Sequence, residues 1–104
     1  MTLSPRHAVF GLLFALAAMA QAASPDPNLA RNLAATCAGC HGTDGHARPD
    51  ATMPALAGVP AAQLMQTLRE FRSGTRPATI MHQISKGYSE AQLELIAAYF
   101  AARK

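Results

Sequence analysis

The chain has 104 residues, enough for one domain and no more. Half of its residues are hydrophobic and none is tryptophan, and nine Lys and Arg against six Asp and Glu leave a formal charge of +3. That excess is too mild for a polybasic nucleic-acid surface, and no aromatic residues interleave with the basic ones, so nucleic acid is not an expected partner.

Arg6 and His7 give a short positive start, and the thirteen residues Ala8 to Ala20 form an unbroken apolar run. Ala20-Gln21-Ala22 is a small-x-small pattern, and Ser24-Pro25-Asp26-Pro27 follows it. This is the layout of a cleavable secretory signal, so residues 1–23 are read as one and residues 24–104 as the mature domain. A membrane anchor is the competing reading, but such a run at ~1.5 Å per residue reaches only ~20 Å of a ~30 Å hydrocarbon core. The mature protein is therefore expected in the periplasm without a membrane span. Roughly 80 residues barely support a hydrophobic core. The only bulky aromatics left are Phe71, Tyr88, Tyr99 and Phe100. A domain of this kind needs a staple such as disulfides, a metal or a large cofactor.

Asp26 suits a helix N-cap and Pro27 the first helical position. Leu29, Leu33 and Cys37 then recur as one stripe of a helix expected to run to about Ala38. From Gly39 to Pro60 the chain is rich in Gly, Pro and small polar residues and reads as loop. A loop of about twenty residues suits a compact domain only where something fills the space it surrounds. Pro60 opens a second helix with Leu64, Leu68 and Phe71 on one face, ended by Ser73-Gly74. Pro77 starts a short helical turn carrying Ile80, Met81 and Ile84, stopped by Gly87. Ser89 caps a last helix, with Gln92 as its capping-box partner and Leu93, Ile96, Ala97 and Phe100 as its inner face. No strand pattern or repeat occurs. The fold class is all-α, with three main helices plus a short helical turn. The first and last helices are expected to cross through the small residues Ala30 and Ala34.

Cys37-Ala38-Gly39-Cys40-His41 carries the chemistry. Thiols three residues apart at a helix end point the same way, so both reach the vinyl groups along one edge of a porphyrin. The adjoining His41 then lies beneath the iron. Cys-x-x-Cys-His reads as covalent haem attachment. Other uses of the pair fit less well. A thioredoxin-like pair goes with a βαβ pattern, and a bond between Cys37 and Cys40 would close a tiny loop and stabilise little. A zinc site would have to recruit His46 or His82 without a second cysteine pair. One haem c also answers the small core. Burying on the order of 500 Å² of porphyrin is worth roughly 10 kcal/mol as an upper bound.

The sixth iron ligand decides what such a haem does. A thioether raises the potential and suits electron transfer, whereas an open site would bind gases or peroxide. Met53 follows His41 closely, in a loop expected to pass the His side. Met65 lies beside the apolar stripe of the second helix and reads as core. His46 is too near His41 to cross to the opposite face. Met81 and His82 lie far enough along to reach round, and Met81 has the apolar neighbours Ile80 and Ile84. Met81 is the preferred ligand and His82 the alternative, His41 and Met81 then being the metal ligands. The backbone of Met53-Pro54-Ala55-Leu56-Ala57-Gly58 is placed to accept the free N–H of His41, with Leu56 packed on the haem. Arg72 and Arg76 are candidates for neutralising propionates or guiding a partner.

With these residues placed, the chain resembles the class I cytochromes c, in particular the haem subunit of flavocytochrome c sulfide dehydrogenase. The likeness rests on Asn32 to His46 around the cysteine motif, on Pro54-Ala55-Leu56-Ala57-Gly58, and on Phe71-Arg72-Ser73-Gly74-Thr75-Arg76-Pro77-Ala78-Thr79-Ile80-Met81. Lys86-Gly87-Tyr88-Ser89 and Ala97-Ala98-Tyr99-Phe100 extend it. Cytochrome c4-like domains share much of this. The resemblance implies one haem c bound through Cys37 and Cys40, with His41 and Met81 axial. It implies a flavin-containing partner that oxidises sulfide and hands over electrons singly. The chain has no Gly-x-Gly-x-x-Gly of its own to hold a flavin, so catalysis would belong to that partner. A free soluble carrier of the c4 or c553 kind, serving a terminal oxidase, is the alternative, and a haem enzyme or gas sensor with a vacant distal side a third.

Overall fold

The computed structural model describes residues 25–104. The expected signal, residues 1–23, lies outside the described residues. Helix α1 spans Leu29–Ala35, α2 Ala38–His41, α3 Ala61–Ser73, α4 Met81–Lys86 and α5 Glu90–Ala101, with one 3-10 turn at Thr43–Gly45. Among the described residues there is no strand, and the all-α expectation holds.

The start of α1 differs from the sequence reading. Asp26 does not cap the helix directly; its carboxylate accepts the Asn28 N–H at 2.8 Å, closing a local turn, and the helix begins at Leu29. Asx side chains favour such turns over their own following backbone. The far end differs too. The helical path breaks at Thr36-Cys37 and resumes as α2 through His41, so Gly39 is helical rather than the first loop residue. The Thr36 hydroxyl donates to the Leu33 carbonyl at 2.9 Å, a back-bond of the kind that bends helices.

The other helix ends follow their local signals. α3 stops at Gly74, whose φ of +81° is the left-handed conformation that lets Thr75 N–H turn back to the Glu70 carbonyl at 3.0 Å. α4 starts at Met81 rather than at Pro77, because residues 75–80 are spent on the bend. At α5 both halves of the capping box form: Gln92 N–H donates to Ser89 Oγ at 3.1 Å, and Ser89 N–H to Gln92 Oε1 at 2.9 Å.

The core is small: Ala34, Leu64, Met65, Leu93, Ile96, Ala97 and Phe100. α1 crosses α5 with Ala34 buried in the contact and Ala30 half-buried, as expected. Leu29, which shares a stripe with Leu33 and Cys37 by its spacing, is 42% exposed at the helix start. α3 packs against both α4 and α5. The loop between α2 and α3 is tied inward at Gly45, whose carbonyl accepts the N–H groups of Leu56 and Ala57 at 2.9 and 3.1 Å.

Candidate functional site

Between these helices lies a groove of about 430 Å³ with an almost wholly apolar lining. Thr36, Cys37, Cys40 and His41 form one wall, and Met53, Pro54 and Leu56 come from the loop that follows. Leu64, Thr67, Leu68 and Phe71 enter from α3, and Ile96, Ala97 and Phe100 from α5. Arg76 to Ile80, with Met81 and Ile84 of α4, complete the lining. All four sequence-assigned site residues, Cys37, Cys40, His41 and Met81, therefore border one space.

His41 is buried, and its ring is fixed by its own loop. Nδ1–H donates to the Pro54 carbonyl at 2.7 Å, which leaves the lone pair on Nε2. An imidazole held this way is aimed and made a stronger donor toward a metal. The two thiols are unbridged, Cys37 half-buried and Cys40 exposed. Burial pushes the Cys37 thiol above its ordinary pKa, against the opposing effect of the Thr36 hydroxyl beside it. Among the described residues, no three His, Cys, Asp or Glu side chains gather as a metal site, so the zinc reading finds no ligand set.

The competing ligand candidates separate by position. Met65 is in the core and His46 is exposed, and neither lines the groove. His82 is half-buried outside the groove, its Nδ1 enclosed without a partner. Met53 does line the groove, but it adjoins Pro54, whose carbonyl sits behind His41, so it belongs to the His41 side.

The two arginines also part company. The Arg72 guanidinium donates to Glu90 Oε2 at 3.1 Å and to the Tyr88 carbonyl, tying α3 to the head of α5. Arg69 joins the same carboxylate, Nε to Glu90 Oε1 at 2.7 Å. Arg76 lines the groove and pairs with Glu70 at 2.7 Å. Spacing alone could not separate them, because Glu90 approaches from another helix. Sequence reasoning also missed Thr36, which lines the groove and meets Tyr88 Oη at 2.7 Å across a separation of 52 residues.

The family model for cytochrome c matches residues 28–103. The chain belongs to the cytochrome c family. Its cofactor is one covalently bound haem c, and the groove suits that group: apolar surfaces for a macrocycle, thiols at its wall and a free imidazole nitrogen. The cytochrome is 38% identical over 68 residues to the cytochrome subunit of sulfide dehydrogenase from Chlorobaculum tepidum, covering 65% of this chain and 60% of that protein. It is 37% identical over 97 residues to a thiosulfate dehydrogenase electron acceptor from Thiomonas intermedia, covering 93% of this chain and 42% of the relative. A crystal structure of reduced recombinant cytochrome c4 from Pseudomonas stutzeri aligns with a TM-score of 0.64 at 26% identity, over 76% of this chain and 50% of that one. The cytochrome thus spans about half the length of these relatives. Among the described residues, no helix is long and apolar enough to cross a membrane.

Proposed function

We propose that this cytochrome is an exported single-electron carrier in which Cys37 and Cys40 would hold haem c through thioethers while His41 and Met81 would ligate its iron. The observation that carries the reading is the meeting of these four side chains on one apolar groove, with His41 pinned by Pro54. Haem c supplies a ferric/ferrous couple. Pro54 keeps His41 in the tautomer that presents Nε2, and the thioether of Met81 favours the reduced state. Leu56, Leu68, Phe71 and Ile96 exclude water, which disfavours the extra charge of the oxidised form.

The partner we propose is the flavoprotein of a sulfide dehydrogenase, in keeping with the likeness to the Chlorobaculum tepidum subunit. In that role the chain accepts electrons one at a time and catalyses nothing alone. The place of work is the periplasm, reached by the signal read at residues 1–23.

Met81→Ala in the haem-loaded protein tests the site. The expected result is a lower reduction potential and rapid carbon monoxide binding to the reduced form. An unchanged potential with no carbon monoxide adduct removes Met81 as ligand. Isolation of the native protein tests the partner. Co-purification with a flavin-containing chain that reduces the haem on adding sulfide is expected, and isolation as a haem-only species with no such reductant refutes that role.

A further inference from the structure

The groove has two walls that hold to different parts of the molecule. The wall carrying Cys37, Cys40 and His41 continues from α1, which packs on α5. The wall carrying Met81 is α4, which packs on α3. Among the described residues, one hydrogen bond joins the α1–α2 segment to the segment from α4 to the head of α5, that of Tyr88 Oη with Thr36 Oγ1 at 2.7 Å. Thr36 Oγ1 already donates to Leu33 O, so Tyr88 is the donor and Thr36 the acceptor.

Tyr88 is suited to this by its position. It follows Gly87, where α4 ends, so its backbone moves with the helix that carries Met81. Its carbonyl is held by the Arg72 guanidinium, which is itself fixed on Glu90. Its ring packs against the core without lining the groove. Thr36, in turn, adjoins Cys37 at the break between α1 and α2.

We propose that Tyr88 is a positioning residue that straps the Met81 wall to the cysteine wall through Thr36 and so sets how firmly Met81 holds the haem iron. Loss of the strap removes the hydrogen bond between the two walls and leaves α4 held by α3 and by its junction with α5, so the wall moves outward more easily. This rests on the reading of Met81 as the sixth ligand. A neutral hydrogen bond of this kind contributes about 1 kcal/mol, so its removal is expected to weaken Met81 by about fivefold against a competing ligand.

The experiment is a titration of the oxidised haem-loaded protein with imidazole, which binds the iron only by displacing Met81. Tyr88→Phe is expected to bind imidazole about fivefold more tightly than the unaltered protein. Thr36→Val, which also deletes the Leu33 back-bond, is expected to bind imidazole at least as tightly as Tyr88→Phe, and the double variant no more tightly than Thr36→Val alone, because the Tyr88–Thr36 bond is already lost there. Tyr99→Phe is the control. It deletes a comparable hydroxyl bond, to Asp44 Oδ1 at 2.5 Å, at a residue outside the groove, and is expected to lower stability without shifting imidazole affinity. An unchanged affinity in Tyr88→Phe, or an equal shift in Tyr99→Phe, overturns the proposal. The sulfur-to-iron charge-transfer band of the unaltered oxidised protein separates the two levels. Its absence removes Met81 as ligand and the strap with it. Its presence alongside an unmoved imidazole affinity refutes the strap alone.

Discussion

Gly45 is a position where a single methyl group should damage the site without touching it. Its φ is +79°, and a Cβ built there meets Ala57 N and Phe100 Cδ1 at 2.8 Å and Leu56 Cβ at 3.0 Å. Two of these three neighbours are a backbone nitrogen and the ring edge of a buried core residue, so neither can swing aside. A left-handed conformation costs a non-glycine residue about 1–2 kcal/mol. Overpacking a tight site costs about 1–3 kcal/mol more. Gly45→Ala is therefore expected to lose about 2–5 kcal/mol of a total in the region of 5–15 kcal/mol.

The damage should also reach His41. The Gly45 carbonyl holds the N–H groups of Leu56 and Ala57, and Pro54, two residues earlier, holds the His41 ring. Pushing that loop outward lengthens the hydrogen bond from His41 Nδ1–H to the Pro54 carbonyl and makes His41, as the proposed ligand, a poorer donor, which destabilises the ferric state and raises the potential. Guanidinium unfolding of the haem-loaded protein, followed by helix signal and haem absorption, measures the stability, and a redox titration measures the shift. Gly39→Ala is the comparison, since its Cβ meets nothing within 4 Å and it lies in helical backbone. It should be neutral or stabilising by up to about 1 kcal/mol. A loss of less than about 1 kcal/mol in Gly45→Ala would refute the steric reasoning.

The Arg76–Glu70 pair at the groove gives two further expectations. Arg76→Gln should lower the reduction potential, because it removes a cation and leaves the Glu70 carboxylate unbalanced, whereas Glu70→Gln should raise it; shifts of the same sign in a redox titration would show that the pair is not felt at the iron. The Gln66 amide and the Arg76 guanidinium hold the Glu70 carboxyl below its ordinary pKa, so its contribution to stability is present above the ordinary glutamate range and is lost as pH falls through the lowered value. Thermal unfolding of the haem-loaded protein across that acid range should show a loss that Glu70→Gln reduces; identical acid limbs would remove Glu70 as a contributor.

Features written in contiguous residues were legible from sequence. The Ser89 and Gln92 capping box and the stops at Gly74 and Gly87 each depend on residues within one or two turns, and each forms as expected. The errors arose where a side chain had two local options. Asp26 is as good an Asx-turn residue as an N-cap, and it took the turn. Thr36 looked like helix interior, yet its hydroxyl competes for the Leu33 carbonyl and bends the chain. Leu29 kept the stripe's spacing but sits in the first turn, beyond the reach of the core. Features made by distant partners had no sequence signal. Nothing near Arg72 announces Glu90, and nothing near Thr36 announces Tyr88.

The way the apolar residues are distributed explains why the Met81 side, the proposed sixth-ligand side, is the sensitive one. The buried core is drawn from α1, α3 and α5, and four of its members, Leu64, Ile96, Ala97 and Phe100, also line the groove. On the Met81 side, Ile80 is 54% exposed and Ile84 38%, so this wall keeps its largest side chains out of the polypeptide's own core. α4 has only six residues, too short to persist on intrinsic helix propensity. Its place is fixed by packing on α3, by the Arg72 and Thr36 bonds at Tyr88, and by what fills the groove. The cysteine wall, by contrast, is tied to the chain by continuity with α1 and by the Pro54 bond to His41. With the proposed covalent attachment on the firm wall and a single thioether from the weak one, the Met81 contact is the natural point of adjustment. Substitutions around Tyr88 should therefore register in ligand affinity before they register in global unfolding.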